Sequence, residues 1–301
     1  MADRQLEPDA AVRTRAPAAA HPFREGTTTL MGVLNATPDS FSDGGRFVRG
    51  ERVDLAGALA AAKELEEGGA DVLDVGGEST RPGAEPVSLE VELARVRPVV
   101  EALAEATGLP ISIDTRKARV AAEAIAAGAR VVNDVSGLRT DPELADVAAE
   151  AGAWLVVGHM RGTPATMQRA PRFDDVRAEV ARELAASIAL ARERGVPADR
   201  IVADPGIGFG KRLEDNLVLI ARAGELRREL GVPVLLGPSR KSFLGALTGD
   251  PVERRDDATL AVCAVASFLG VDALRVHDAA RVRRAVAVGR ALAAARPEDA
   301  R

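Results

Sequence analysis

The sequence has little of what disulfide-linked and zinc-binding proteins contain. Among its 301 residues there are one cysteine and three histidines. A single cysteine excludes an internal disulfide, and Cys263 lies in the apolar run ATLAVCAVASFLG, where we expect it to be buried. The histidines lack the close i, i+3 or i, i+4 spacing of zinc ligands. We therefore expect a cytoplasmic protein whose metal, if it binds one, is a hard ion such as Mg²⁺.

The sequence also lacks an excess of positive charge and any long apolar run. Lys and Arg number 40 against 45 Asp and Glu, and the net charge of -5 excludes the basic field that binding of a nucleic-acid backbone requires. Charged residues or glycines interrupt every run of Ala, Val and Leu before it reaches the roughly 20 residues of a transmembrane helix. We expect neither nucleic acid nor a membrane as a partner.

The first 22 residues contain acidic residues among the basic ones and no continuous apolar segment. This composition is not typical of a secretory signal or a transit peptide. We predict a disordered N-terminal extension over residues 1–22, one folded domain over 23–295 and a C-terminal tail over 296–301.

Short aliphatic runs alternate with longer Ala-, Glu- and Arg-rich segments from Thr27 onward, a pattern that predicts repeated βα units. The runs are TLMGVLN, ADVLDVG, PISIDT, ARVVNDV, AWLVVGH, DRIVADPG, VPVLLGPS and VDALRVHD. Eight such units predict an α/β fold of one domain, the (β/α)8 TIM barrel. An open doubly wound sheet remains the alternative, because periodicity does not distinguish a closed sheet from an open one.

Two of the intervening segments illustrate how the helices are predicted. Residues 52–67 end at Gly68 and Gly69, and residues 116–127 follow Asp114 and Thr115, which predict a helix N-cap. The apolar stripe of the first segment consists of Leu55, Ala58, Leu59, Ala62 and Leu65, and that of the second of Val120, Ala124 and Ile125. Both helices are expected to pack on a sheet.

Polar residues stand at the C-terminal ends of most predicted strands. In a parallel barrel these ends emerge on one face, where such barrels place their sites. A single Asp there most simply caps the next helix, but capping does not account for the whole set. The set consists of Asn35, Asp114, Asn133, Asp204, Lys241, Arg275 and His277. Its carboxylates and amides suit a polar heterocycle, and its cations suit an anionic leaving group.

Two glycine-containing segments lie between strands. GIGFG at 206–210 precedes Lys211 but lacks the spacing of an ATP-binding phosphate loop, so we interpret it as flexible backbone beside a ligand. SFSDGG at 40–45 has two interpretations, a surface turn or a lid over the mouth, and its place after a strand favours the lid. The lid would include Pro38, Asp39, Phe41 and Asp43.

Eight segments together resemble one family, the dihydropteroate synthases, in family order from Val33 to Asp278. They are VLNATPDSFSDGG, DVGGESTRPGA, SIDT, NDVSG, HMRGTPATMQ, DPGIGFGK, GPSRKSFLG and RVHD. The first two are long and distinctive. The sequence differs from the family pattern at two positions. Pro238 stands where a less constrained residue is expected, and Gly158 stands where a bulkier apolar residue is common. Neither change removes a matched binding side chain.

The resemblance implies a site with three parts. Its pterin pocket would consist of Asp114, Asn133, Asp204 and Lys241. Its pyrophosphate site would consist of Asn35, Thr80, Arg81, Arg275 and His277, with Mg²⁺ at Asn35. Its p-aminobenzoate site would consist of Phe41, Pro82, Phe209, Lys241 and Ser242. Asp39 resembles a first-loop acid that organises the closed state, and the catalytic set would be Asp39, Asp114, Lys241, Arg275 and His277.

The resemblance also implies a reaction. Pyrophosphate would leave dihydropterin pyrophosphate early, and the amine of p-aminobenzoate would capture the resulting pterin methylene cation. A homodimer and sensitivity to sulfonamides are expected on the same basis. Under this reading, Arg275→Ala should lower turnover severely and leave binding of free pterin nearly intact.

Two alternatives remain open. A corrinoid methyltransferase that uses methyltetrahydrofolate shares the barrel and part of the pterin pocket, but it has no need of a pyrophosphate site. A catalytically silent pterin-binding barrel is the other alternative, because fold does not fix function. We would expect such a paralogue to have lost part of the first loop or the SRK segment, and the sequence retains both.

Overall fold

The computed structural model describes residues 22–23, 26–37, 48–49 and 52–296. The strands in this part of the chain are β1 (Thr29–Asn35), β2 (Val48–Arg49), β3 (Arg52–Val53), β4 (Val72–Gly76), β5 (Ile111–Asp114), β6 (Val131–Asp134), β7 (Trp154–Gly158), β8 (Ile201–Asp204), β9 (Leu235–Leu236) and β10 (Ala273–Val276). Its α-helices are α1 (Leu55–Glu67), α2 (Leu89–Ala106), α3 (Ala118–Ala127), α4 (Glu143–Ala151), α5 (Val176–Glu193), α6 (Leu213–Ala221), α7 (Ala223–Leu230), α8 (Ser242–Thr248), α9 (Asp256–Phe268) and α10 (Ala279–Ala294).

Eight of these strands form one parallel sheet in the order β8-β7-β6-β5-β4-β1-β10-β9. The two ends of that order also meet, because Ala203 of β8 forms a parallel bridge with Val234. The backbone N–H of Ala203 donates to the carbonyl of Pro233 at 2.9 Å. The sheet therefore closes into a barrel, which confirms the predicted (β/α)8 fold and excludes the open doubly wound sheet. All eight predicted runs contain a barrel strand.

The barrel interior changes from apolar to polar along the strands. Its lower part is filled by a buried cluster of Phe23, Met31, Val72, Val131, Trp154, Val156, Val202, Leu235 and Ala273. Alternate residues of a strand face the same side, so the residue two positions after a member of this cluster also points inward. On four strands that residue is polar, namely Asp74, Asn133, Asp204 and Arg275. The two-residue period thus brings these side chains to the mouth of the barrel.

The two helices predicted in detail begin later than expected. α1 begins at Leu55 because the Asp54 side chain accepts from the backbone N–H of Gly57 at 3.0 Å, and residues 52–53 form β3 instead. α3 begins at Ala118, where Thr115 Oγ1 accepts from the N–H of Lys117 at 3.2 Å. The capping role predicted for Asp114 is wrong, because its side chain lies in the mouth of the barrel.

The apolar stripes are confirmed in large part. Ala58, Ala62 and Leu65 of α1 are buried, but Leu55 is exposed. Val120 and Ala124 of α3 are buried. Cys263 is buried as predicted, and burial raises the pKa of its thiol to about 12. None of the helices in the described ranges combines the length and apolar character needed to cross a membrane.

Candidate active site

A cavity of about 490 Å³ opens at the C-terminal ends of the barrel strands. We call it the mouth cavity. It is lined by ten of the predicted site residues, which are Asn35, Thr80, Arg81, Pro82, Asp114, Phe209, Lys241, Ser242, Arg275 and His277. Asn133 and Asp204 do not line it, but both are buried near the C-terminal ends of β6 and β8. Asp39 and Phe41, like the other residues of the predicted lid, lie outside the described residues.

Arg275 links two carboxylates at the floor of the mouth cavity. Its Nε donates to Asp74 Oδ2 at 2.6 Å, and one terminal nitrogen donates to Asp114 Oδ2 at 2.8 Å. Asn133 Nδ2 donates to the same Asp74 oxygen at 3.2 Å. Asp74 was not among the predicted site residues, although it is fully buried at the centre of this network.

Asp114 is the carboxylate with the most unusual surroundings. Burial raises its pKa to about 7, against the opposing charge of Arg275, and the nearby Asp74 adds to the rise. Among the described residues, Asp114 Oδ1 has no hydrogen-bond partner. A buried acceptor without a partner is costly, so this oxygen is suited to a ligand that brings an N–H donor.

Asp204 and Lys241 are oppositely charged groups, and each acts on the pKa of the other. Burial raises the pKa of Asp204, while Lys241 and the N–H of Gly206, which donates to Asp204 Oδ1 at 2.7 Å, oppose the rise. Burial lowers the pKa of Lys241 to about 8, against the charge of Asp204. The pair places a carboxylate acceptor and an ammonium donor on one wall of the site.

The 206–210 loop brings an aromatic ring to this wall. Lys241 Nζ lies 3.8 Å from the centroid of the Phe209 ring and donates to the carbonyl of Ile207. Gly208 has a φ of 82°, and a Cβ there would lie 2.6 Å from Lys241 Cδ. Glycine is therefore required at this position both for the left-handed backbone and for the close approach of the lysine stem.

Basic residues gather around His277 in the lining of the cavity, and we call this part the basic end. Arg81, Arg240, Arg255 and His277 all line it. His277 Nδ1 lies 2.9 Å from Ser239 Oγ. Burial, followed by the charges of Arg275 and Arg240, lowers the pKa of His277 to about 3, so the imidazole is neutral at pH 7. This end of the cavity suits an anion that is held by guanidinium groups.

Arg240 has a φ of 56°, which is uncommon for a residue other than glycine. Its Nε donates to Asp256 Oδ1 at 2.7 Å, and Arg255 donates to its carbonyl at 3.3 Å. Such backbone strain persists only where surrounding contacts fix it. Neither Arg240 nor Arg255 is among the predicted site residues, although Arg240 lies within the SRK segment.

The loop over residues 77–88 carries Thr80, Arg81 and Pro82 and is held at both ends. Lys117 Nζ donates to Glu78 Oε2 at 2.6 Å at the start of the loop and to the carbonyl of Val87 at 2.8 Å at its end. Arg116 also donates to Glu78, which lines the cavity. These two cations neutralise a carboxylate that would otherwise repel an anionic ligand.

Several predicted features outside the cavity have clear structural roles. The side chain of Lys211 is buried against His159, so the GIGFGK segment does not form an exposed phosphate loop. Asp134 does not cap the next helix, which begins at Glu143. Its carboxylate instead accepts from the N–H groups of Ser136 and Leu138 in the turn that precedes that helix. At Gly158 a Cβ would lie 2.6 Å from Val135 Cα, so the residue found here is the one that fits.

The metal prediction has limited support from the side chains. The described residues contain no group of three or more His, Cys, Asp or Glu side chains placed to hold a metal. Asn35 nevertheless lines the mouth cavity and offers an amide oxygen. Mg²⁺ commonly keeps several waters and binds to one or two protein groups together with substrate phosphates. The donor set therefore fits an ion that arrives with a phosphorylated substrate.

Comparison with known proteins agrees with this geometry. Residues 31–277 match the family described as pterin binding enzyme. The dihydropteroate synthase of Synechocystis sp. is 47% identical over 252 residues, which are 83% of this chain and 85% of that protein. The Yersinia pestis dihydropteroate synthase with a sulfonamide drug complex has a TM-score of 0.84 at 39% identity, over 89% of this chain and 95% of that one.

The structure of Xanthomonas albilineans dihydropteroate synthase with 4-aminobenzoic acid has a TM-score of 0.81 at 45% identity. The similarity covers 90% of this chain and 94% of that one. Family, relatives and fold therefore agree, and the chain belongs to the dihydropteroate synthases within the family of pterin-binding enzymes.

Proposed function

We propose that the protein is a dihydropteroate synthase that works through the mouth cavity. It condenses 6-hydroxymethyl-7,8-dihydropterin pyrophosphate with p-aminobenzoate to give 7,8-dihydropteroate and pyrophosphate, a transferase step of folate biosynthesis. The observation that carries this assignment is the Asp114–Arg275 ion pair, with its N–O distance of 2.8 Å, which joins a carboxylate floor to a basic end in one cavity.

The pterin ring is bound by Asp114, Asn133, Asp204 and Lys241. The two carboxylates accept from the N–H groups of the ring edge, and Lys241 donates to a ring acceptor. The unpartnered Oδ1 of Asp114 supports this role among the described residues. The burial of Asp204 and Asn133 makes each bond to the ring stronger than it would be in water.

The pyrophosphate is bound at the basic end by Asn35, Thr80, Arg81, Arg275 and His277. Arg240 and Arg255 line the same end and add positive charge. His277 is neutral in the free site, so it serves there as a hydrogen-bonding group, and an incoming anion would raise its pKa. Mg²⁺ bound with the substrate at Asn35 would offset charge on the pyrophosphate oxygens.

The p-aminobenzoate is bound between Pro82, Phe209, Lys241 and Ser242. The Phe209 ring and the aliphatic stem of Lys241 offer apolar contact to the substrate ring. Phe41 completes this part of the site and Asp39 organises the closed state, but both lie outside the described residues and their roles remain predictions.

In the reaction, the C–O bond between the pterin methylene and pyrophosphate breaks, and its electron pair leaves with pyrophosphate. Guanidinium groups stabilise the developing anion, and the ionised Asp114 stabilises the pterin methylene cation. The amine nitrogen then forms the C–N bond and releases a proton. Because the amine is held in line within a closed site, its capture of the cation outcompetes attack by water.

The assignment is tested by incubating the full chain with dihydropterin pyrophosphate, p-aminobenzoate and Mg²⁺. A synthase releases dihydropteroate and pyrophosphate in equal amounts. A folded sample that binds pterin but releases neither product would support the silent barrel instead. Methyl transfer from methyltetrahydrofolate to a corrinoid, without formation of dihydropteroate, would support the methyltransferase.

We further propose a cytoplasmic homodimer that is sensitive to sulfonamides. Exposed apolar residues on the two packed helices α9 and α10 support the dimer, namely Val265, Val288 and Leu292. The single buried thiol is consistent with a reducing compartment. Light scattering of the purified chain tests the dimer, and a monomeric mass at micromolar concentration would contradict it. Competition between a sulfonamide and p-aminobenzoate tests the drug prediction.

A further inference from the structure

A buried lysine lies directly behind the p-aminobenzoate part of the site. Lys211 is only 4% exposed and does not line the mouth cavity. Its Nζ lies 3.0 Å from His159 Nδ1, 3.0 Å from the carbonyl oxygen of Phe209 and 3.3 Å from that of His159. Burial lowers the pKa of Lys211 to about 7, and the charge of Asp204 opposes that effect. A buried amine of this kind is costly unless hydrogen bonds compensate it, and the three contacts do so.

The hydrogen-bond directions at His159 follow from its partners. His159 Nε2 lies 3.1 Å from Glu183 Oε2, and a carboxylate accepts, so Nε2 carries the proton. Burial lowers the pKa of His159 to about 4, so the ring is neutral and Nδ1 is an acceptor for Lys211. Arg161 and Arg139 in turn hold Glu183. The result is a continuous chain from Glu183 through His159 and Lys211 to the carbonyl of Phe209.

The 206–210 loop is thus held by the side-chain nitrogens of two lysines. Lys241 donates to the carbonyl of Ile207 and lies over the Phe209 ring, while Lys211 donates to the carbonyl of Phe209 itself. The left-handed Gly206 and Gly208 on the amino-terminal side of Phe209 leave the backbone with little intrinsic preference for one conformation. Outside contacts must therefore set the position of the ring.

We propose that Lys211 is a positioning residue for p-aminobenzoate, which acts by holding the Phe209 carbonyl and, through it, the Phe209 ring. This inference rests on the proposed function, because it assigns p-aminobenzoate to the part of the cavity beside Phe209. Among the proposed pterin-binding residues, Asp204 and Lys241 act on Lys211 through their charges, while the hydrogen bonds of Lys211 go to His159 and to the Phe209 carbonyl. Loss of Lys211 should therefore act mainly on the amine substrate, and the pterin substrate should be affected only weakly, through these charges.

The test is steady-state kinetics of Lys211→Met in the full chain. We expect the KM for p-aminobenzoate to rise roughly tenfold, as for loss of a charged hydrogen bond, and the KM for dihydropterin pyrophosphate to change less than about twofold. Lys63→Met is the matched control, because that lysine side chain is 75% exposed and should leave both constants unchanged. A similar rise in both KM values would overturn the proposal.

A double-mutant cycle tests the route through the ring. In a Phe209→Ala background, Lys211→Met should add less than about twofold to the KM for p-aminobenzoate, because the group that it positions is gone. Full additivity of the two changes would contradict the inference.

If Lys211→Met does not fold, Glu183→Gln loosens the same chain from its far end. We expect a smaller rise that is again selective for p-aminobenzoate, and an unchanged KM would count against the proposal.

Two measurements distinguish failure of the proposed function from failure of the Lys211 inference. Absence of dihydropteroate in the enzyme assay of wild-type protein would contradict the proposed function. Equal affinities of wild type and Lys211→Met in a calorimetric titration of p-aminobenzoate, with protein saturated with pyrophosphate and Mg²⁺, would contradict the Lys211 inference alone.

Discussion

Arg275 Nε donates to Asp74 Oδ2 at 2.6 Å, on a carboxylate that is 0% exposed. The same guanidinium reaches Asp114, so one side chain connects the carboxylate floor with the basic end of the mouth cavity. Burial lowers the pKa of Arg275, but the charges of Asp74 and Asp114 overcome that effect and raise it. Arg275 is therefore a permanent cation that favours the ionised form of Asp114.

This geometry changes the expectation for Arg275→Ala. Removal of the guanidinium leaves Asp74 and Asp114 buried without their cation, and for Asp114 this favours protonation, because the charge of Arg275 lowers its pKa. We expect both turnover and affinity for free pterin to fall, each by at least about tenfold, since the loss of a charged hydrogen bond costs that much. Pterin titration and steady-state kinetics measure the two effects. Retention of full pterin affinity would return Arg275 to a role confined to pyrophosphate.

Pterin binding should depend on pH near neutrality. Burial raises the pKa of Asp114 to about 7, so in the free site this carboxyl is largely protonated below that pH and ionised above it. Only the ionised form accepts fully from pterin N–H groups, so affinity should fall as pH decreases, by about tenfold per unit well below the pKa. Asp114→Asn should remove this fall on the acidic side, whereas loss of the Lys241 proton, whose pKa is about 8, should still weaken binding at higher pH. A flat profile for wild type from pH 6 to 8 would contradict this prediction.

Lys117→Met should loosen the loop that carries Thr80 and Arg81. Lys117 holds Glu78 and the Val87 carbonyl, and it also donates to Glu92 Oε2 at 2.5 Å. Removal of one partner of a buried ion pair lowers the free energy of unfolding by about 3–5 kcal/mol. The KM for dihydropterin pyrophosphate should also rise, because the loop carries part of its proposed binding site. Urea denaturation measures the loss of stability, and steady-state kinetics measure the KM.

Glu92→Gln in combination with Lys117→Met provides the control. The double variant no longer buries an uncompensated Glu92, so it should regain part of the lost stability. A double variant less stable than Lys117→Met would show that Glu92 is not the source of the cost.

Phe23→Ala should lower stability without changing the site. Phe23 is buried against Trp154, with ring centroids 5.2 Å apart, at the end of the barrel opposite the mouth. Truncation of a buried Phe costs about 3–5 kcal/mol, whereas KM values should stay as in wild type. Urea denaturation and kinetics give both numbers, and a stability loss below about 1 kcal/mol would mean that the barrel floor closes without this ring.

The strands and most side chains at the mouth of the barrel could be predicted, because both follow from local sequence patterns of β-strands. Buried parallel strands are continuous apolar runs, and the last inward residue of each must face the mouth, which identifies Asp114, Asn133 and Asp204. Asp74 follows the same alternation from Val72 and was available from the sequence. It is a polar residue near the end of its strand, which continues to Gly76, but the family resemblance assigned it no role in the site.

The remaining site residues depend on long-range packing. Lys211 follows a glycine-rich loop, and only its contact with His159, which lies 52 positions earlier, shows that it faces away from the cavity. Arg255 enters the cavity between α8 and α9, where no periodic pattern applies. The start of α1 shifted for a local reason, since Asp54 is a better N-cap than any residue at the predicted start.

The central claim is that the mouth cavity itself performs the condensation. Its most direct test is release of dihydropteroate and pyrophosphate by wild type and by Asp114→Asn at pH 8, with Mg²⁺ and both substrates present. We predict equal amounts of the two products from wild type and a rate at least about 100-fold lower from the variant, as for loss of a group that stabilises transition-state charge. Absence of both products from folded wild-type protein, or an unchanged rate in the variant, would contradict the account.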